Sequence, residues 1–261
     1  MKILAIRTLA ATAVLSILSQ PTIARGDGGC ATLPRHAALK AALVDAMATE
    51  SSGLDFNMWA TVVNRDGVVC AVAFSGGNRG AQWPGSRAIA AQKANTANAF
   101  SLDGLALSTV NLFSAVQPGG SLYGLQHSNP MDTDVAYAGP SSAYGQHNDP
   151  MVGQKIGGVN VFGGGLRLYA NGNIVGAVGV SGDTSCADHM IGWRVRNNLG
   201  LDELLGTGGV AALFAGDVTH PDNIIYDIAA KPPGENGVSA SGFGHPECLN
   251  TGDESSLPPV L

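Results

Sequence analysis

The sequence predicts an α+β domain in which helices cover an antiparallel sheet, and three observations lead there. Residues 58–63 and 68–74 are apolar, β-branched runs joined by Asn64-Arg65-Asp66-Gly67. Residues 166–169 and 174–180 repeat the pattern around Asn171-Gly172. An Asp-Gly or Asn-Gly pair between such runs signals a hairpin, because these residues tolerate the positive φ of a tight turn. Segments of helical periodicity stand before, between and after the hairpins. Hairpins make antiparallel neighbours, and helices must then cover the apolar face.

Residues 33–52 place Leu39, Leu43, Ala46 and Met47 on one helical face, and Gly53 follows where a cap is expected. A glycine-rich loop over 75–85 contains Trp83-Pro84. Ser86 stands at the N-cap position of an alanine-rich helix over 87–100. A further helix is expected over 102–115, with Leu105, Thr109 and Leu112 on one face, ended by Gln117-Pro118-Gly119-Gly120. Residues 119–158 are long and aperiodic, and hold His127, Asp132, Asp134, Tyr137, Tyr144, His147 and Asp149. A connection of that length reads either as functional or as cover over the sheet. A strand is expected at 159–162, ahead of the second hairpin. Asp183 or Thr184 caps a helix over 186–199, which Gly200 terminates. Residues 201–261, rich in Gly, Pro and Asp, read as an extension wrapped on the domain, with one apolar run at 224–228.

The first segment has the shape of an export signal. Lys2 and Arg7 precede an uncharged, mostly apolar stretch over 9–18, and Thr22 and Ala24 offer small residues for cleavage. That stretch is too short to span a bilayer as a helix, so a signal peptide over 1–24 is expected, with a periplasmic or secreted destination. The organisation is then 1–24 signal, 25–200 domain and 201–261 extension. Losing Lys2 and Arg7 takes 14 basic residues to 12 against 20 acidic, a net charge of −8. Such a surface repels nucleic acid and anionic lipid, and neither is an expected partner. Apolar residues make up 45% of the chain and charged ones 13%, enough to build a core and against disorder.

Specific residues carry a resemblance to a known family. The run Ala91-Gln92-Lys93-Ala94-Asn95-Thr96-Ala97 resembles the A-x-K-A-x-T-A helix of the GlcG/HbpS-like haem-binding family. So do Pro118-Gly119-Gly120, the run from Gly157-Gly158-Val159 to Gly163-Gly164-Gly165, and the run from Gly176-Ala177-Val178 to Gly182, followed by Asp188. The resemblance implies a profilin-like fold with a five-stranded antiparallel sheet and frequent homo-oligomers. It also implies haem or a related tetrapyrrole as ligand, linked in some members to haem degradation or redox sensing.

Haem iron needs an axial donor beside an apolar slot for the ring. No Cys-x-x-Cys-His run is present, so covalent attachment is not expected. His36, at the start of the first helix, stands where the resemblance places a haem ligand; His127 and His147 in the long loop are the other candidates. Lys93 is surrounded by alanines on a helix that packs on the sheet. It either lines a pocket, as a base or Schiff-base amine, or bonds carbonyls or a carboxylate within the fold. Arg87 can grip a carboxylate or a haem propionate bidentately. Two other classes therefore stay open beside haem binding. One is an enzyme acting on a small carbonyl or carboxylate compound through Lys93 and Arg87. The other is a structural oligomer without small-molecule chemistry. No phosphate-binding loop, Gly-x-Ser-x-Gly elbow or His-Glu-x-x-His pair is present.

Cys30, Cys70, Cys186 and Cys248 are an even set, which in an oxidising compartment suggests two disulfides. Pairing Cys30 with Cys70 and Cys186 with Cys248 would tie each terminal segment to the body. A competing arrangement sets Cys186, His189, His245 and Cys248 as a tetrahedral zinc site, which the second disulfide would preclude. Thiol titration of unfolded, unreduced, metal-free protein separates the two. No free thiol is expected, and four would remove the bridges.

Overall fold

Four strands build one antiparallel sheet: β1 (Trp59–Asn64), β2 (Val69–Phe74), β3 (Gly165–Ala170) and β4 (Asn173–Ser181), in the order β2-β1-β4-β3. Three main helices flank it: α1 (His36–Ala48), α2 (Ser86–Phe100) and α3 (Ser185–Asn198). The computed structural model describes residues 29–204, 206–229 and 237–261, so the export segment expected at 1–24 lies outside the described residues. Among the described residues no helix is long and apolar enough to cross a membrane.

Side chains alternate across the sheet with period two. Ala60, Val62, Leu166, Leu168, Val178 and Val180 pack with Leu39 and Leu43 of α1 and Met190 and Trp193 of α3. Trp59, Val63, Val69 and Ala177 pack with Ala90, Ala91 and Ala94 of α2 in a second cluster. The helices therefore form two layers with the sheet between them. α2 lies unusually close to the strands, because glycines face alanines there. A Cβ on Gly179 would sit 2.0 Å from the Ala90 carbonyl oxygen and 2.5 Å from the Ala94 nitrogen. One on Gly165 would sit 2.6 Å from the Lys93 carbonyl oxygen.

Both hairpins form as their turn residues predict. Asn171 and Gly172 take φ of 51° and 72°, the paired positive values of a type I′ turn, and Gly67 takes 76°. Thr184 caps α3 by accepting from the Ala187 N–H at 3.2 Å, and Gly200 follows with a φ of 62°. The long loop serves as cover: Ala136, Met151 and Ile156 are buried against the α2 side. That explains why α2 is buried on nearly every face and rich in alanine.

Several expectations need correction. The sheet has four strands among the described residues, not five. Residues 159–162 form no ladder, because other partners satisfy their backbone. Val159 N–H donates to the Asn129 carbonyl at 3.2 Å, Asn160 N–H to Thr96 Oγ1 at 3.0 Å, and Phe162 N–H to Asn160 Oδ1 at 3.1 Å. The two sheet edges carry only isolated bridges, Val68 with Lys155 and Tyr169 with Asp202. The helix expected over 102–115 is also interrupted. Leu102 and Leu105 exchange N–H···O bonds at 3.0 Å, and Leu105–Ala106 pairs in parallel with Gly208–Gly209. Ser108 and Asn111 form a capping box that delays helical geometry to the short turns Thr109–Leu112 and Phe113–Val116. Ser86 lies inside α2, whose N-cap is Gly85.

The disulfides are Cys30–Cys70 and Cys186–Cys248, the pairing expected, with Cα–Cα distances of 5.4 and 5.9 Å. The second binds the segment after residue 200 to α3. Arg196 and Asp222 add a buried bidentate pair at 2.7 and 3.0 Å, Trp193 Nε1 donates to the Pro258 carbonyl at 2.9 Å, and Leu257 and Val260 enter the core.

Gly179→Ala should lower unfolding stability by about 1–3 kcal/mol, the usual range for overpacking against backbone. Gly77→Ala, with open space at its Cβ, should stay within about 0.5 kcal/mol of the parent. Urea midpoints at unchanged slope measure both.

Candidate functional site

α2 presents its two cations in different directions. Arg87 enters the long loop, where Nε donates to Asp149 Oδ2 at 2.9 Å, Nη2 bonds Asp149 Oδ1, and Nη1 donates to the Ala136 carbonyl at 2.6 Å. Its guanidinium also lies 3.7 Å from the centre of the Tyr144 ring. The carboxylate that Arg87 grips is thus the chain's own, which corrects the expectation of a ligand carboxylate or propionate there. Asp149 in turn accepts from the Gly145 N–H at 2.6 Å and the Met151 N–H at 2.9 Å. This ion pair holds the backbone at Gly145, and the Gly145 carbonyl meets His36 Nε2 at 2.9 Å.

Lys93 points the other way and is fully buried. Its ammonium bonds Asp188 Oδ2 at 2.5 Å and the Val180 carbonyl at 3.0 Å. Burial lowers the Lys93 pKa, opposed by Asp188, and burial raises Asp188 to about 6 against the pull of Lys93. Desolvation therefore outweighs attraction on both partners. Of the two roles weighed for Lys93, the geometry is that of a lysine bonded to a carboxylate and a carbonyl. Neither Lys93 nor Arg87 lines either of two recesses, of about 590 and 490 Å³.

The histidines divide. His36 opens α1 half-buried, and a carbonyl can only accept, so Nε2 carries the proton and Nδ1 keeps its lone pair in the neutral ring. His147 is exposed two residues beyond Gly145, so its Cα lies within about 7.6 Å of the Gly145 Cα. His36 and His147 thus share one edge of the molecule. His127 is exposed on the turn Leu125–Ser128, which packs through Leu125 on a different apolar cluster. His189 and His245 are buried, and burial pushes their pKa values down to about 3 and about 4. Among the described residues neither ring nitrogen of His189 has a partner in hydrogen-bond geometry, although nearby Asn223 opposes the shift. The zinc arrangement expected as the alternative is not formed, because Cys186 and Cys248 are bonded to each other.

The His36 edge is aromatic and cationic. Lys40 lies one helical turn along α1, its ammonium 5.2 Å from the centre of the Phe74 ring. Phe74 packs edge-on against Trp59 at 5.3 Å, and Gly145 sits so close to both that a Cβ there would be 2.4 Å from Phe74. Trp59 Nε1 donates to the Trp83 carbonyl at 3.0 Å. Trp83 and Phe56, 49% and 40% exposed, meet edge-on at 5.4 Å on the outside. Lys40, Phe56 and Trp83 escaped sequence reasoning, although the four-residue spacing of His36 and Lys40 was a usable signal. Two recesses lie elsewhere. One of about 590 Å³ separates the Pro118-Gly119-Gly120 turn from Ile228, Val238 and Pro246. The other, polar and about 490 Å³, lies between Glu50, Arg194 and Asp253. No histidine lines either.

The fold is thus an α+β domain in which an alanine-rich helix is seated on sheet glycines. The family model for the haem-degrading protein HbpS-like matches residues 35–194, and the chain belongs to that family. An uncharacterised 15.0 kDa protein from the dhaT-dhaS intergenic region of Citrobacter freundii is 37% identical over 83 residues, 32% of this chain and 40% of the relative. The matched stretch therefore spans less than half of that relative's length. Among solved structures, Klebsiella pneumoniae ORFY is 27% identical, covering 63% of this chain and 88% of that one at a TM-score of 0.42. A PduOC:heme complex is 22% identical over 63% and 91% of the two chains, at 0.43. HbpS of Streptomyces reticuli, as a double mutant, is 15% identical over 74% and 99%, at 0.37.

His189→Leu should be near neutral at pH 7, because it removes an imidazole whose nitrogens lack partners. A histidine with a depressed folded pKa contributes stability above about 6.5 that is lost as pH falls toward about 3. At pH 4.5 the variant should therefore exceed the parent by roughly 2–3 kcal/mol, at about 1.4 kcal/mol per unit. Denaturant curves at the two pH values give the difference.

Proposed function

We propose that this chain is an exported binder of haem or a related tetrapyrrole, with the ring held at the His36 edge. The observation that carries the reading is the His36 imidazole, fixed by the Gly145 carbonyl with its second nitrogen available, one helical turn from Lys40 and linked through Gly145 and Trp59 to the exposed Trp83–Phe56 pair. Membership of a haem-degrading family supports the choice of ligand. The residues present suit a tetrapyrrole in chemistry: an imidazole as axial donor, Phe56 and Trp83 as aromatic surface for the macrocycle, and Lys40 as counter-charge for a propionate. His147, exposed two residues beyond Gly145, is a second candidate nitrogen donor.

Bound haem would supply a redox-active iron centre. The chain's own residues do the holding. The Arg87–Asp149 pair fixes the Gly145 backbone, the Gly145 carbonyl sets the His36 tautomer, and Lys40 rests on Phe74 one turn away. Two features support export, namely the basic-apolar-small pattern over 1–24 and an even cysteine set consumed in disulfides. Roles in haem uptake, degradation or redox sensing would follow from such binding, and homo-oligomers fit the same reading.

Haemin titration followed at the Soret band should saturate near one equivalent. His36→Ala should weaken binding at least tenfold, Lys40→Met should weaken it less, and His127→Ala should leave it unchanged. A flat titration at micromolar protein, or full binding by His36→Ala, refutes the site.

A further inference from the structure

The bond between α3 and the C-terminal segment is set among metal-ligand chemistry outside the haem reading. Cys186 lies in the first turn of α3, and Cys248 is half-buried on the segment it tethers. His245, three residues before Cys248, is buried, with Nδ1 4.0 Å from Cys186 Sγ. The two sulfurs and one ring nitrogen of His245 all lie within 4.8 Å of one another. A tetrahedral zinc with Zn–S of about 2.3 Å and Zn–N of about 2.0–2.1 Å spaces its ligands about 3.8 Å apart for S···S and about 3.6 Å for S···N. Once the disulfide opens, the sulfurs need only a modest separation to reach that spacing, and the imidazole is already near its place.

The surroundings suit a ligating histidine. His245 Nε2 and Ser185 Oγ are 2.8 Å apart, and Ser185 Oγ also accepts from the Gly163 N–H at 2.7 Å. Nδ1 lies 2.7 Å from the Pro246 carbonyl, so in the disulfide form Nδ1 carries the proton and Nε2 accepts from Ser185. In the other tautomer Nδ1 gives up its bond to the Pro246 carbonyl, so a small turn of the ring brings its lone pair to a cation held by the sulfurs while Nε2–H donates to Ser185 Oγ. That hydroxyl is the outer partner that orients a ligating imidazole. The Phe113 ring lies 4.7 Å from the imidazole and shields one side. His189, the fourth member of the sequence pattern, lies outside this group, which leaves one coordination position for water.

We propose that Cys186, Cys248 and His245 form an alternative metal clasp, so that the C-terminal segment is held by a disulfide when oxidised and by a zinc-type divalent cation when reduced. A small dithiol supplies two electrons and two protons to the Cys186–Cys248 bond and leaves as its own disulfide. The two thiols then release two protons to the solvent as they bind one divalent cation beside the neutral imidazole. The segment keeps its attachment to α3 through either chemistry.

The test uses the full chain, reduced with a dithiol and freed of it under argon. Cobalt(II) titration should give a thiolate charge-transfer band in the near ultraviolet and four-coordinate visible bands, saturating at one equivalent and displaced by zinc. Oxidised protein should give neither band. Cys186→Ser should abolish the charge-transfer band of the site, and His245→Ala should weaken binding at least tenfold. The Cys30→Ser, Cys70→Ser double variant should retain it. The proposal is overturned by a reduced chain without the band, by a band that survives Cys186→Ser, or by equal affinity in His245→Ala. Loss of native circular dichroism on reduction that zinc does not restore overturns it as well.

Discussion

Lys93 and Asp188 form the contact on which the layered arrangement depends. The ammonium comes from α2 on one face of the sheet, and the carboxylate from the first turn of α3 on the other. Between them lies the end of β4, whose Val180 carbonyl shares the ammonium. The second carboxylate oxygen of Asp188 accepts the N–H groups of Gly182 and Asp183 at 2.9 Å each, holding the turn from β4 into α3. Four bonds thus meet at one buried charge pair. Leaving either charge alone in such a place typically costs about 3–5 kcal/mol, a large share of a domain's net stability. The pair is a device for register rather than a surplus of attraction, since desolvation opposes both partners.

The small residues around the pair follow from the same constraint. A lysine in the middle of α2 reaches the far end of β4 only if the helix lies close to the strands. Gly179 opposite Ala90 and Ala94, and Gly165 opposite the Lys93 carbonyl, permit that approach. The opposite side of α2 then needs its own cover, and the long loop supplies it. Arg87 locks the loop through Asp149, and Asp149 locks the turn that meets His36. The candidate ligand edge is therefore coupled to the core through two charged residues, although no charge of the core reaches it.

Much of the fold was legible because its signals are local. Asn171-Gly172 and Asp66-Gly67 needed only their own φ preferences to declare hairpins, and Thr184 with Gly200 bounded α3 by capping alone. The strand expected at 159–162 and the helix expected over 102–115 failed for one reason. Their patterns were right in hydrophobicity, but groups distant in sequence claimed the backbone: the Asn129 carbonyl and the Thr96 hydroxyl for the first, the Gly208 backbone for the second. Of the candidate site, His36 came from the family resemblance, which places a haem ligand at the start of the first helix. Lys40, Phe56 and Trp83 were not legible, because nothing local says that their segments converge.

Taken alone, the sequence determined the two hairpins, the three main helices, the α2 family motif and the candidate histidines, because each depends on residues near in the chain. The tertiary structure decided which charges are partners. Lys93 is separated from Asp188, and Arg87 from Asp149, by long stretches of chain, and only packing shows that both cations are neutralised from within. It also decided that His36 faces Gly145 while His127 does not, because the path of the long loop is set by the burial of Ala136, Met151 and Ile156 rather than by any periodicity of its own.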